Sequence, residues 1–349
     1  MKPPPAIFSA LFAALLFGAS IPLAKLALNS ANPLLVAGML YLGSGVGLAF
    51  VRLLNRGRRV EAPIPRDALP WLLGAILTGG VVAPVLLLLG LMTTSGSTAS
   101  LLLNLEAVAT ALIAWIAFRE NVDRRVAVGF VCIFIGGVLL SLPRDGGVAF
   151  SGGVLLIVAA CICWGIDNNL TRKVSAGDPS QIAMWKGLVA GVVNCGLALG
   201  LGAKLPGANV AIGVAAIGFL GYGVSLVLFV RALRDLGTAR TGAYFSTAPF
   251  AGAAIAFALG QGSFDWMFAT AGVLMAAGVW LHLTERHEHW HAHEPMEHDH
   301  LHFHDEHHRH AHLSGDPAYE PHAHPHRHTM MRHSHHHYPD LHHRHEHQS

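Results

Sequence analysis

Along most of this chain apolar residues do not alternate with polar ones; they come in long runs. Leu, Ala, Val, Ile and Gly fill stretch after stretch of residues 1–284, and charges gather in the short gaps between them. Such runs fit neither the two-residue period of a half-buried strand nor the one-sided stripe of a soluble amphipathic helix. Each is about 17–25 residues long, enough for a helix to cross a hydrocarbon core of about 30 Å. Ten spans are predicted, over residues 6–28, 34–54, 69–91, 96–118, 126–142, 152–170, 180–201, 209–230, 239–260 and 266–283. The first has Lys2 before it and Gly18-Ala19-Ser20 within it, as a cleaved leader would. A counterpart later in the chain argues instead for a permanent helix.

Charge sets the expected orientation. Basic residues follow span two (Arg52, Arg56, Arg58, Arg59, Arg66), span four (Arg119, Arg124, Arg125), span six (Arg172, Lys173) and span eight (Arg231, Arg234, Arg240). The opposite loops hold only Lys25, Arg144 and Lys204. Basic loops stay in the cytoplasm, so both termini are expected there, in a multi-pass protein of a bacterial inner membrane. The four cysteines, Cys132, Cys161, Cys163 and Cys195, all fall within apolar spans and read as packing residues.

The chain also contains itself twice. Gly18…Lys25 and Gly165…Arg172 share one spacing, and Asn32-Pro33 matches Asp178-Pro179. Gly80, Gly96, Ala107 and Gly137 register with Gly221, Gly237, Ala248 and Gly278 at one constant offset, with Glu120 opposite Gln261. A unit of five spans is odd, so its second copy must enter the membrane the other way up. Inverted repeats of that kind mark secondary transporters. The expected fold is therefore all-α and integral to the membrane: ten transmembrane helices as two inverted five-helix repeats (residues 1–145 and 146–284), followed by a tail.

The pattern from Gly96 through Asn104-Leu105-Glu106-Ala107-Val108 to Phe118-Arg119-Glu120-Asn121, followed by Gly129 and Gly136-Gly137, resembles a repeat of the EamA family in the drug/metabolite transporter superfamily. Gly237…Ala248-Pro249-Phe250…Gly260-Gln261…Gly278 is similar. The resemblance covers residues 6–283. It implies a ten-helix permease of two five-helix units, whose relatives carry amino acids, sugars, other metabolites or toxic compounds. Gln261 departs from the acid that stands at that place in the pattern, and the tail is no part of it.

Within the spans, Glu106 stands out. A carboxylate near the middle of a span costs roughly 2.5–3.5 kcal/mol to insert and normally faces the interior, where it binds a cation, carries a proton or pairs with a base. A protonated structural carboxyl is the plainer alternative. Lys186 is the natural partner for it or for an anionic substrate, or it snorkels to the cytoplasmic interface. Asp167, Asn168 and Asn169 either form the polar mouth of a pathway or end their helix. Tyr222, Thr241, Tyr244, Ser246 and Thr247 give spans eight and nine a hydroxyl-bearing side, with Thr247 opposite Glu106 in the repeat register. Asn104 reads as a helix–helix contact. Pro84 and Pro249 free carbonyls that can line a cavity. Gly43-x-x-x-Gly47, Gly187-x-x-x-Gly191 and Gly196-x-x-x-Gly200 read as close packing faces.

All 25 histidines lie between His282 and His347, many in alternation: His287, His289, His291, His293; His298, His300, His302, His304; His322, His324, His326, His328. Acids are interleaved. Imidazole near neutral pH binds Zn, Ni, Co or Cu, and these residues are the expected metal ligands. With few large apolar residues, 285–349 is expected to be disordered. The net charge of +2 hides a basic membrane part and an acidic tail.

No ATPase motif, phosphate loop or nucleophile–base set is visible, so the chain reads as no enzyme and requires no cofactor. It is expected to move a small solute through the lipid bilayer by alternating access, with no nucleic acid partner; a homodimer stays open beside a monomer. A divalent-metal exporter fed by the tail, and a membrane-tethered metal buffer, are the alternatives.

Overall fold

The computed structural model describes residues 5–54, 64–118, 124–142, 151–174, 178–236, 241, 244–283 and four strands within 288–336. Its helices are α1 (Pro5–Ala27), α2 (Pro33–Leu54), α3 (Leu69–Ala75), α4 (Ala83–Thr93), α5 (Gly96–Leu102), α6 (Asn104–Phe118), α7 (Arg124–Ser141) and α8 (Gly152–Val174). The second half continues with α9 (Pro179–Gly200), α10 (Ala208–Gly218), α11 (Ser225–Leu236), α12 (Ala248–Ala258) and α13 (Trp266–Leu283).

Among the described residues seven helical stretches are long and apolar enough to cross a membrane, and three apolar helices are shorter: Ala127–Ser141, Ala248–Ala258 and Trp266–Leu281. Those three fall where spans five, nine and ten were expected. Large apolar side chains face outward on many helices, among them Phe8, Phe50, Trp115, Ile116, Val192 and Trp280. A water-soluble surface would not carry so many; a lipid-facing one does.

Two spans change pitch midway. A π-helical stretch, Ile76–Val82, joins α3 to α4, and another, Phe219–Val224, joins α10 to α11. The two overlap at the offset that matches Gly80 to Gly221. In a π turn each carbonyl bonds the N–H five residues on. The first segment's run closes with the Ala83 N–H on Thr78 O. The next bond would come from Pro84, which has no N–H. The Gly79 carbonyl is thus left over, and side chains take it up.

Helix α5 breaks from α6 at Leu103, where the Glu106 N–H donates to Leu103 O (3.0 Å). The same tight turn recurs at the same offset, the Thr247 N–H donating to Tyr244 O (3.2 Å).

Helices α2 and α9 run together most closely, as do α7 and α13. Helix α1 lies against α11 and α12, and α8 lies against α3, α4 and α6. Missing side chains set the spacing. A Cβ on Gly187 would sit 2.7 Å from Gly45 Cα and 2.8 Å from Tyr41 O, and one on Gly38 would meet the Cys195 backbone nitrogen at 2.6 Å. Gly43 abuts Ala215 and Gly47 abuts Phe219, so that pair packs on α10 and the following π segment. Gly196 and Gly200, by contrast, face open space and pack on nothing.

Within the tail, β1 (Glu288–His293) pairs antiparallel with β4 (Met331–His336), and β2 (Glu297–His302) with β3 (His322–Arg327). Lack of apolar bulk denies the segment a core, but it does not prevent the backbone from satisfying itself in a ladder, and His-x-His has the two-residue period of a strand. In register, His289 stands opposite His335, His291 opposite His333, His298 opposite His326, His300 opposite His324 and His302 opposite His322. His293 stands opposite Met331. His287, His304 and His328 lie outside the described residues.

Candidate functional site

Polar side chains converge where α2, α6, α8 and α9 meet the first π segment. Lys186 on α9 donates to both oxygens of Asp167 on α8, at 2.7 and 2.6 Å. Both residues are buried, Asp167 to 4% exposure and Lys186 to 9%. Lys186 is therefore not the partner of Glu106, and it does not snorkel to an interface. Helix rotation decides this: it brings Lys186 to the α8 face that carries Asp167. Nor do Asp167, Asn168 and Asn169 end their helix, since α8 continues to Val174.

Glu106, in the first turn of α6, accepts from Asn168 Nδ2 at 2.9 Å, and the same amide reaches Thr110 Oγ1 at 3.2 Å. Asn169 donates to Thr110 O (3.0 Å), which pins α8 to α6. Among the described residues no lysine or arginine forms an ion pair with Glu106. Asn168 is exposed although the rest of this cluster is not. The outward row of α8 holds Leu155 and Ile162. Asn168 is about a third of a turn from Ile162 at 100° per residue, on the side of Cys161 and Trp164, so it opens on the interior and not on lipid.

The leftover Gly79 carbonyl accepts from Tyr41 Oη (2.7 Å) and Trp164 Nε1 (3.0 Å). Asn194 Nδ2 reaches Val81 O at 3.2 Å and Gly80 O, the carbonyl that Pro84 would serve in an α-helix, at 3.4 Å. Tyr41, Trp164, Thr110 and Asn194 escaped the sequence reading. Pro84 behind Gly79-Gly80 was the available signal, because it marks a carbonyl that some donor must fill.

The remaining candidates disperse. Asn104 is buried and donates to Leu101 O (3.0 Å) and toward Met275 Sδ (3.8 Å), a contact between helices. Thr247 gives its hydroxyl to Tyr244 O at 2.6 Å, so the two belong to one turn. Cys161 is buried, its thiol toward Leu102 O. Among the described residues no group of three or more His, Cys, Asp or Glu could hold a metal.

The helix ends are tied as well. Lys25 donates to Leu91 O (2.5 Å) and Thr94 O (2.6 Å), closing the last turn of α4 onto α1. The Gln261 side-chain amide donates to Pro22 O (2.9 Å), and its backbone carbonyl accepts from the Ser97 N–H (3.3 Å). Arg52 and Asp178 form an ion pair, and Asp178 also caps α9.

Known proteins share this architecture. The sequence model of the EamA-like transporter family matches residues 4–142 and again 151–284. An uncharacterized transporter of Methanothermobacter thermautotrophicus is 31% identical over 293 residues, covering 78% of this chain and 84% of that protein. The uncharacterized transporter YyaM of Bacillus subtilis is 26% identical over 208 residues, 56% of this chain and 68% of that one. One crystal structure superposes with a TM-score of 0.60 at 17% identity over 79% of this chain and 95% of that one, a likeness of fold. With its apolar helices and the double match over nearly all of them, the chain belongs to the EamA-like transporter family of multi-pass membrane transporters.

Proposed function

We propose that the chain is a secondary permease that moves a small solute across the cytoplasmic membrane by alternating access between two inverted halves, 1–145 and 146–284, and that its histidine tail binds transition metals as a regulator. One observation carries this: the helix contacts are reciprocal. At the repeat register, span two corresponds to span seven and span five to span ten, and these equivalents, α2 with α9 and α7 with α13, pack most closely on each other. Span one lies on spans eight and nine as span six lies on spans three and four. Reciprocity of that kind is what a two-fold axis demands. An in-plane axis through such an interface lets the halves rock about a central site.

The orientation finds support in which helix ends meet. Lys25, Leu91, Thr94, Ser97 and Gln261 all lie at or beside helix ends expected on the outer side; Lys25 bonds Leu91 and Thr94, and Gln261 bonds Ser97. Arg52, in the last turn of α2, and Asp178, at the start of α9, are at helix ends expected on the cytoplasmic side, and they pair.

The test is solute counterflow in proteoliposomes with full-length protein and with Glu106→Gln. A permease moves a solute from a metabolite panel and the variant moves it at least tenfold more slowly. Absence of counterflow for every solute sinks the proposal. The tail favours a second reading, export of a divalent metal. Cellular Zn, Ni and Co content, with full-length protein and with a chain stopped after Thr284, tests it: export lowers metal content only with the intact tail. A simple buffer raises bound metal with the tail and ignores Glu106→Gln.

A further inference from the structure

We propose that the site beside Glu106 takes a monovalent organic cation, a quaternary or protonated amine, held between the Glu106 carboxylate and an aromatic wall. The proposal rests on the permease reading and narrows its substrate.

Three observations converge. First, charge: Lys186 is spent on both oxygens of Asp167, so that pair is neutral, while Glu106 has only the uncharged Asn168 amide. When Glu106 is ionised, the cluster carries one uncompensated negative charge. Second, the wall: Tyr41 shares the Gly79 carbonyl with Trp164, one turn of α8 before Asn168, and its ring centroid stands 5.2 Å from that of Tyr222. Rings continue from Tyr222 to Phe17 (5.8 Å), Phe245 (5.5 Å) and Phe229 (4.7 Å). Aromatic faces attract weakly hydrated cations, and they do so more strongly in a desolvated site. Third, an unused group: Tyr222 is 9% exposed, and its buried hydroxyl has no hydrogen-bond partner within 3.5 Å among the described residues. Ser20 beside it gives its own proton to Phe17 O (2.6 Å). A buried hydroxyl without a partner is costly; the N–H of a protonated amine would satisfy it, whereas a quaternary ammonium would use the ring faces alone.

A divalent metal fits poorly here. It asks for several oxygen, nitrogen or thiolate ligands, and one carboxylate with an amide and a threonine falls short of that. An anion would meet Glu106 directly.

The experiment is equilibrium binding to the purified full-length protein. The probes are tetramethylammonium, benzyltrimethylammonium, the protonated amine benzylammonium, and tetraphenylphosphonium, with tetraphenylborate as an anion of the phosphonium's shape. At least one cation should bind saturably without competition from the borate. Glu106→Gln keeps an acceptor for Asn168 and should keep the fold, checked by thermal melting, yet it should weaken that cation at least tenfold. Tyr222→Leu should weaken it several-fold, and Tyr222→Phe less. If no cation saturates, or if Glu106→Gln binds as wild type does, the proposal is overturned. Counterflow on the same preparation separates the two claims. Neutral or zwitterionic solutes moving in a Glu106-dependent way, without cation binding, leave the permease and remove the cation. Cation binding without any counterflow leaves the site and removes the permease.

Discussion

Lys186 has been taken out of water to hold Asp167, and such a pair is worth little net stability while its halves are worth a great deal to each other. Lys186→Met alone should destabilise the protein by about 3–5 kcal/mol, because it strands a buried carboxylate. The double variant Lys186→Met, Asp167→Leu should recover most of that, read as the melting temperature in detergent. Had the pair been a surface contact, both single changes would pass almost unnoticed. Glu106, Asp167 and Lys186 were legible in the sequence because a charge inside an apolar run is conspicuous. Their pairing was not, since it depends on how far each helix is rotated about its axis. Tyr41 and Trp164 were illegible for another reason: what they bond is a backbone carbonyl, which every residue has.

Helices are spaced here by what their glycines lack. Gly187-x-x-x-Gly191 and Gly196-x-x-x-Gly200 look alike in sequence, but only the first faces a neighbouring backbone. Gly187→Ala should force α9 off α2 and cost about 1–3 kcal/mol, as overpacking does. Gly196→Ala has room and should be neutral or stabilise by up to about 1 kcal/mol through helix propensity. Thermal melts of the two variants side by side check this, and equal effects would mean the two helix faces are misassigned. The long spans were legible by length alone. The π segments were not: Pro84 announces a break, but whether the backbone kinks or takes a wider turn depends on the donors that wait for the freed carbonyl.

For the whole molecule, the proposed repeat rests on matched glycines in the sequence and on the reciprocal helix contacts. The tail was visible as composition. Metal binding there needs neutral imidazole. Zn bound by the full-length protein should therefore be retained at pH 7.5 and released as pH falls through about 6.5, near the ordinary imidazole pKa. Equilibrium dialysis at the two pH values checks this, with the chain stopped after Thr284 as control. The reciprocal contacts have a further consequence. The closest helix pairings, α2 with α9 and α7 with α13, join one half of the chain to the other. The covalent link between Leu142 and Ser151 then adds little to assembly. Two genes, each encoding one half, should complement each other in the same cell. Either fragment alone should be degraded, or should find a second copy of itself.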